Sequence, residues 1–146
     1  AESLGLNPLG IILSVGSIAR EPHLVAEVPA YAIQQALDRA GLSLDDLNLI
    51  EINEAFAAVP LVSTKILAKN DSTKWEKIKA ITNPNGGAIA IGHPVGASGA
   101  RLLMTAMYEL RRRGGGIGVV GICGGLAQGD AVVIKVDETC TPQRLF

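Results

Sequence analysis

The spacing of apolar positions divides the chain into strand-like and helix-like stretches. Residues 10–18 (GIILSVGSI) are apolar and β-branched on both faces, which predicts a buried strand. Residues 29–40 predict a helix, with Pro29 at its first position and Ile33, Ala36, Leu37 and Ala40 along one face. Gly41 stands where that helix should stop. Ser43-Leu44-Asp45-Asp46 predicts a short helical turn opened by a serine cap, and Leu49–Ile52 a short strand. Residues 54–69 are again helical in pattern, with Asn53 placed as N-cap and Pro60 expected to kink the helix. Residues 70–78 are polar and read as a surface connection with one helical turn, followed by a short strand over 79–82. A long helix is expected over 97–113, and then two apolar strands over 117–122 and 131–136. The short glycine-rich connection between those strands makes them antiparallel neighbours.

The predicted order is β-α-β-α-β-α-β-β. Helices between strands imply right-handed crossovers. The expected fold is therefore α/β: a five-stranded mixed, mostly parallel sheet with helices on both faces and a C-terminal antiparallel hairpin. Residues 1–136 read as one domain and 137–146 as a polar tail on the surface. The 146-residue length fits one core.

Composition narrows the functional classes. The chain is 48% hydrophobic and 18% charged, with a net charge of −1, so a generally basic nucleic-acid binder is excluded. Five scattered aromatics offer no stacking platform for single strands. No apolar run reaches the roughly 18–20 residues of a membrane span, so no membrane partner is expected. Two cysteines, Cys123 and Cys140, make no disulfide framework, and a reduced, cytoplasmic setting is the expectation. The chain begins at Ala1 without Met, so an N-terminal part is expected to be missing. The 17 glycines mean that backbone must approach backbone closely in many places.

Local motifs exclude several chemistries. Gly116-Ile117-Gly118-Val119-Val120-Gly121 spells a dinucleotide fingerprint, but a helix precedes it and a strand follows, the reverse of what that motif needs. His23 and His93 have no partner at zinc-ligand spacing, so no metal is expected. Arg111-Arg112-Arg113 sit in the last turn of a helix, where positive charge meets the negative end of the dipole. Three polar residues remain on tight turns at element ends. They are Asn53 after a strand, His93 in a loop rich in glycine, and Cys123 before Gly124 and Gly125. Singly, each has a plain structural reading: Asn53 as a cap, His93 as a turn residue bonding backbone, Cys123 as a small hydrophobe.

Together their flanks resemble a known family. Asn53-Glu54-Ala55-Phe56-Ala57, the stretch NGGAIAIGHPVGASGAR over 85–101, and Cys123-Gly124-Gly125 before a final hairpin resemble the three C-terminal motifs of thiolases. The resemblance covers the chain to about Val136. It implies acyl transfer between acyl-CoAs, by Claisen condensation or by thiolysis of a 3-ketoacyl-CoA, through a covalent acyl-cysteine. It further implies that Cys123 is the acid/base, that His93 and Asn53 (through a water) form one oxyanion hole, and that the Gly125 N–H contributes to a second. Ala55 and Phe56 would line the pantetheine slot. Coenzyme A thioesters are then substrates, and no cofactor is expected.

The resemblance has departures and one gap. The register Cys123, Gly125, Ala127, Gly129 puts alanine where the family has its middle glycine, so Ala127 is expected to avoid positive φ and to reshape the loop. Val28-Pro29-Ala30-Tyr31-Ala32 replaces the usual Gly-Pro-x-Pro-Ala and is expected to alter the pocket wall. Pro60 and the segment 70–80 are also atypical but expected to be remote from the chemistry. In thiolases the acyl-accepting cysteine lies in the N-terminal half, and Cys140, in the polar tail, cannot replace it. The resemblance thus implies an N-terminal half as partner, in the same chain or as a separate subunit, a homo-oligomer, and inactivity of this chain alone. A natural small subunit of a two-chain enzyme and a non-catalytic thiolase-like binding domain are the alternatives.

Overall fold

The computed structural model describes residues 1–140; the last six residues of the expected tail, 141–146, lie outside the described residues. Among the described residues the strands and α-helices follow in the order β1 (Ile11–Ala19), α1 (Val28–Ala40), β2 (Leu49–Ile52), α2 (Ala58–Leu67), α3 (Ser72–Ala80), α4 (Ala88–Ile91), α5 (Ser98–Arg112), β3 (Gly116–Gly124) and β4 (Gln128–Val136). Gly41 ends α1 at φ 67, and Ser43 and Asp46 form a reciprocal capping box on the turn before β2.

The strands form one sheet in the order β1-β4-β3-β2. It has four strands rather than five, and it is not mostly parallel: β2–β3 is parallel, while β1–β4 and β3–β4 are antiparallel. The expected crossovers do make β1, β2 and β3 run the same way. The final strand reverses and inserts between β1 and β3, so two of the three pairings become antiparallel. The predicted strand over 79–82 is absent because α3 continues to Ala80. Ile50 exchanges bonds with the Ile81 carbonyl and the Asn83 N–H (2.9 Å each). The Asn83 side chain then takes over: its Oδ1 accepts from Ile52 N–H (2.8 Å) and its Nδ2 donates to Ile52 O (2.9 Å). An amide side chain thus imitates the next strand and satisfies the edge of β2.

Three other expectations are corrected. Strand β1 is an edge strand, and Ile11, Ile12, Leu13 and Val15 are exposed, not buried. Helix α2 starts at Ala58, not Glu54, and Asn53 does not cap it. Pro60 falls in the first turn, where the missing N–H has no intrahelical partner to lose. Residues 72–80 form a true helix: Asp71 caps it by accepting from Lys74 N–H (2.8 Å), and Trp75 Nε1 donates to Thr64 Oγ1 (3.0 Å), holding α3 against α2.

Helices cover both faces. Val28, Ile33, Leu37, Ile50, Ile52, Val59, Val119 and Val133 meet on the α1 side, and Leu49, Leu102, Ala106, Leu110, Val120 and Ile134 on the α5 side. Under α1 runs a row of small residues across three strands, Gly16–Ala131–Gly121. A Cβ on Gly16 would strike the Ala32 carbonyl, and one on Gly121 would lie 2.9 Å from Ile33 Cδ1. Gly16 therefore lets helix backbone lie on sheet backbone, and Gly121 makes room for the Ile33 and Pro29 side chains of the same helix.

The arginine run is structural. Glu109 is buried and accepts from Arg112 Nη2 (2.7 Å) and Arg113 Nε (2.6 Å), and Arg111 donates to the Cys140 carbonyl. The Arg112 bond, with help from Arg113 and Asn85 against the opposing effect of burial, holds the Glu109 carboxyl down at about 2.

Two outcomes follow from this packing. Gly16→Ala should destabilise the chain by about 1–3 kcal/mol, read as a lower urea midpoint at unchanged slope, because helix backbone and not a flexible side chain blocks the methyl. Glu109 has a lower pKa folded than unfolded, so its contribution is complete above about pH 4.5 and lost as pH falls toward about 2. Glu109→Gln should therefore lower the urea midpoint at pH 7 and narrow its difference from the parent at pH 3.

Candidate active site

The parallel pairing of β2 with β3 brings the predicted residues to one end of the sheet. Asn53 extends the ladder one step beyond β2, its N–H donating to Gly121 O (2.9 Å). Cys123 lies two residues further along β3, opposite Gly129 on β4. His93 arrives from a third segment. Gly92, at φ 91, turns the chain after α4 in a conformation that favours glycine. The same loop is tied to the end of β2 by Glu54, whose Oε2 accepts from Ile89 N–H (2.9 Å) and Oε1 from Asn83 Nδ2 (3.3 Å). Gly87 makes room: a Cβ there would lie 2.7 Å from the Glu54 carboxylate.

His93, Cys123, Gly125, Ala55 and Phe56 line one cleft of about 670 Å³. Pro22 and Val25 wall it ahead of α1, and Leu126 overhangs from the hairpin. Asn53 is fully buried beneath, with Nδ2 3.3 Å from His93 Nε2. All six predicted residues therefore converge, five on the cleft surface and Asn53 behind His93. Cys123 is buried, and burial pushes its thiol above the ordinary range, against a smaller opposing effect of its own backbone N–H. His23 is exposed and lies outside this cleft.

The hairpin loop corrects one expectation. Ala127 does not avoid positive φ: it sits at φ 55, after Leu126 at φ 58. The left-handed conformation costs a non-glycine residue roughly 1–2 kcal/mol. The Ala127 methyl is fully buried and its carbonyl accepts from Arg20 N–H (3.0 Å), which offsets that cost and keeps the loop shape that glycine would adopt. Val28-Pro29-Ala30 are buried in the first turn of α1.

Three residues without an assigned role surround His93 and Asn53. Ser98, the buried first residue of α5, has its Oγ 2.6 Å from His93 Nδ1 and donates to Pro94 O (3.1 Å). Arg101, one turn along α5, donates from Nη2 to Asn53 Oδ1 (3.4 Å). Glu51 is fully buried on β2, and neither of its carboxylate oxygens has a hydrogen-bond partner among the described residues; nor has Arg101 Nε. Burial raises the Glu51 carboxyl to about 7, with Arg101 opposing and Glu54 and Glu109 adding to the rise. The sequence held one signal for this group: a single charge in the otherwise apolar four-residue strand LIEI.

The family described as thiolase, C-terminal domain, matches residues 6–136. A probable acetyl-CoA acetyltransferase of Mycobacterium tuberculosis is 46% identical over 135 residues, covering 92% of this chain and 32% of that protein. A 3-oxoadipyl-CoA/3-oxo-5,6-dehydrosuberyl-CoA thiolase of Escherichia coli is 42% identical with the same coverage. The crystal structure of the Bacillus anthracis acetyl-CoA acetyltransferase superposes with a TM-score of 0.82 at 36% identity, over 92% of this chain and 32% of the other. The chain spans about a third of the length of the relatives it matches. The chain belongs to the thiolase family and corresponds to its C-terminal domain.

Proposed function

We propose that this chain supplies the acid/base and oxyanion-binding half of an acyl-transfer site acting on acyl-CoA thioesters, by Claisen condensation or thiolysis of a 3-ketoacyl-CoA. The observation that carries the reading is the convergence of three separate segments, with Cys123 and His93 on one cleft and Asn53 bonded behind His93. Cys123 acts as the acid/base. In the synthetic direction its thiolate takes a proton from the methyl group of acetyl-CoA, and the resulting enolate carbon attacks an acyl-cysteine thioester, forming a C–C bond and releasing the cysteine thiolate. In thiolysis the protonated thiol returns that proton to the departing enolate. The raised thiol is a ready proton donor in thiolysis; in the synthetic direction it first gives its proton to the CoA thiolate that leaves as the acyl-cysteine forms, and the thiolate so produced is a strong base toward a weakly acidic C–H.

His93, once it has taken up a proton at Nε2, and Asn53 stabilise one developing oxyanion, and the Gly125 N–H contributes to a second. Ala55 and Phe56 line the slot for the pantetheine arm. Their place on the cleft wall, and the exposure of Phe56, support this role. The acyl-accepting cysteine comes from a thiolase N-terminal half, in the same chain or a separate subunit. The only other cysteine here, Cys140, is buried after β4 and does not line the cleft. The exposed apolar residues of β1 support a covering partner, either that half or a further copy in a homo-oligomer. The working site is cytoplasmic, and coenzyme A thioesters serve as substrates without a further cofactor.

In a full-length enzyme containing this domain, Cys123→Ser, His93→Ala and Asn53→Ala should each lower kcat for acetoacetyl-CoA thiolysis by about 10²–10⁴-fold. The 146-residue chain alone should show none; turnover by it, or full activity of Cys123→Ser, would refute the assignment. Iodoacetamide labelling of Cys123 in this chain, followed by peptide mass, should be slow at pH 7. It should keep rising above the ordinary thiol range. Rapid, pH-independent labelling would show instead a pre-formed thiolate.

A further inference from the structure

We propose that Arg101 is a positioning residue of this site: held beside Glu51, it fixes which way the Asn53 amide faces, and through that amide it fixes His93 as the Nδ1–H tautomer. The inference deepens, and for its catalytic meaning rests on, the acyl-transfer reading above.

The argument runs along one chain of bonds. A guanidinium has donors and no acceptor, so the Asn53 atom facing Arg101 Nη2 is the carbonyl oxygen. The amide nitrogen then faces His93 Nε2 at 3.3 Å. An amide nitrogen donates, so Nε2 of the neutral ring is the acceptor and bears no proton. The proton is on Nδ1, which donates to Ser98 Oγ at 2.6 Å, and Ser98 passes its own hydroxyl proton to Pro94 O at 3.1 Å. Every link has one donor and one acceptor; the Ser98 hydroxyl can turn from Pro94 O to donate to Nδ1, whereas the guanidinium can only donate, so the Arg101 end sets the direction. Reversing Asn53 would set its NH2 against the guanidinium in a buried site, donor against donor.

Glu51 explains why a cation is tolerated there. Arg101 Nε is buried without a hydrogen-bond partner, and so are both Glu51 oxygens. The Arg101 charge opposes the rise that burial imposes on the Glu51 carboxyl, while Arg101 itself is tied to Asn53 through Nη2 alone among the hydrogen bonds described. The remaining charged groups acting on Glu51 are carboxylates, Glu54 after β2 and Glu109 on α5, so Arg101 is its counter-charge among the described residues. The consequence for the chemistry is a histidine whose Nε2 rests without a proton, its lone pair held by the Asn53 amide, and which takes up a proton only as that 3.3 Å contact gives way.

The test reads tautomer directly. ¹⁵N NMR of the histidine ring in this chain at pH 8 should show His93 as Nδ1–H, in excess by about tenfold or more, the preference expected of a charge-assisted hydrogen-bond chain. In R101M that excess should fall to near parity. In S98A, which removes only the Nδ1 acceptor, Nδ1–H should stay dominant. Dominant Nε2–H in the parent overturns the proposal, whether or not any variant folds. So does an unaltered tautomer in folded R101M, or dominant Nε2–H in S98A. None of these readouts involves a CoA thioester, so this inference stands or falls separately from the acyl-transfer reading. If that reading also holds, R101M in the full-length enzyme lowers kcat at little-changed KM.

Discussion

The site depends on one short piece of hydrogen bonding, the parallel register of β2 against β3. Four pairs, Leu49 with Gly118 through Ile52 with Gly121, make both strands end at the same edge. Asn53 and Cys123 are seventy residues apart in sequence and owe their proximity to that register. A slip of one residue would turn Asn53 toward the opposite face of the sheet and break its contact with His93. Everything else around the cleft is arranged on this pair: Glu54 ties the histidine loop to the end of β2, and Asn83 closes the outer edge of the same strand.

The polar interior follows from the same placement. Strand β2 is buried on both faces, yet holds Glu51 and ends in Asn53. A buried carboxylate is costly unless compensated, and the compensation on hand is a guanidinium from the first turns of α5. A core built only for stability would have an apolar residue at Glu51. Its presence at full burial, with a carboxyl raised by that burial, makes this the part of the domain where stability is exchanged for the orientation of other groups.

The sequence was most readable where a pattern answers to one neighbour. The periodicity of α1, the left-handed Gly41, the four residues of β2 and the final hairpin all emerged at or near their observed places, because each is set by local geometry and one buried face. Errors arose where a residue had a second duty. Asn53 has the composition of a helix cap, but its amide is committed to His93 and Arg101, so the helix starts later. Residues 81–83 lie along β2, but the Asn83 side chain replaces strand backbone, which periodicity does not register. Strand β1 is apolar on both faces as a central strand is, although it stands at an edge with those apolar residues exposed. The candidate site itself was found through its motifs. Residues that act through others, Glu51, Ser98 and Arg101, stood inside or beside those motifs with nothing in their type to mark them.

The row Gly16–Ala131–Gly121 has a reach beyond packing. It lets α1 lie directly on the sheet, and Val28, the first residue of α1, has its carbonyl over Gly129, the cross-strand neighbour of Cys123. Pro22 and Val25, just ahead of α1, form a wall of the cleft. The helix that rests on this row thus leads directly out of one wall of the cleft. A lineage that needed a wider opening could obtain it by adding a methyl group in the middle of the sheet, at positions no ligand touches. Variation in ligand size among relatives would then be written in the core, under the helix, as much as in the residues that line the cleft.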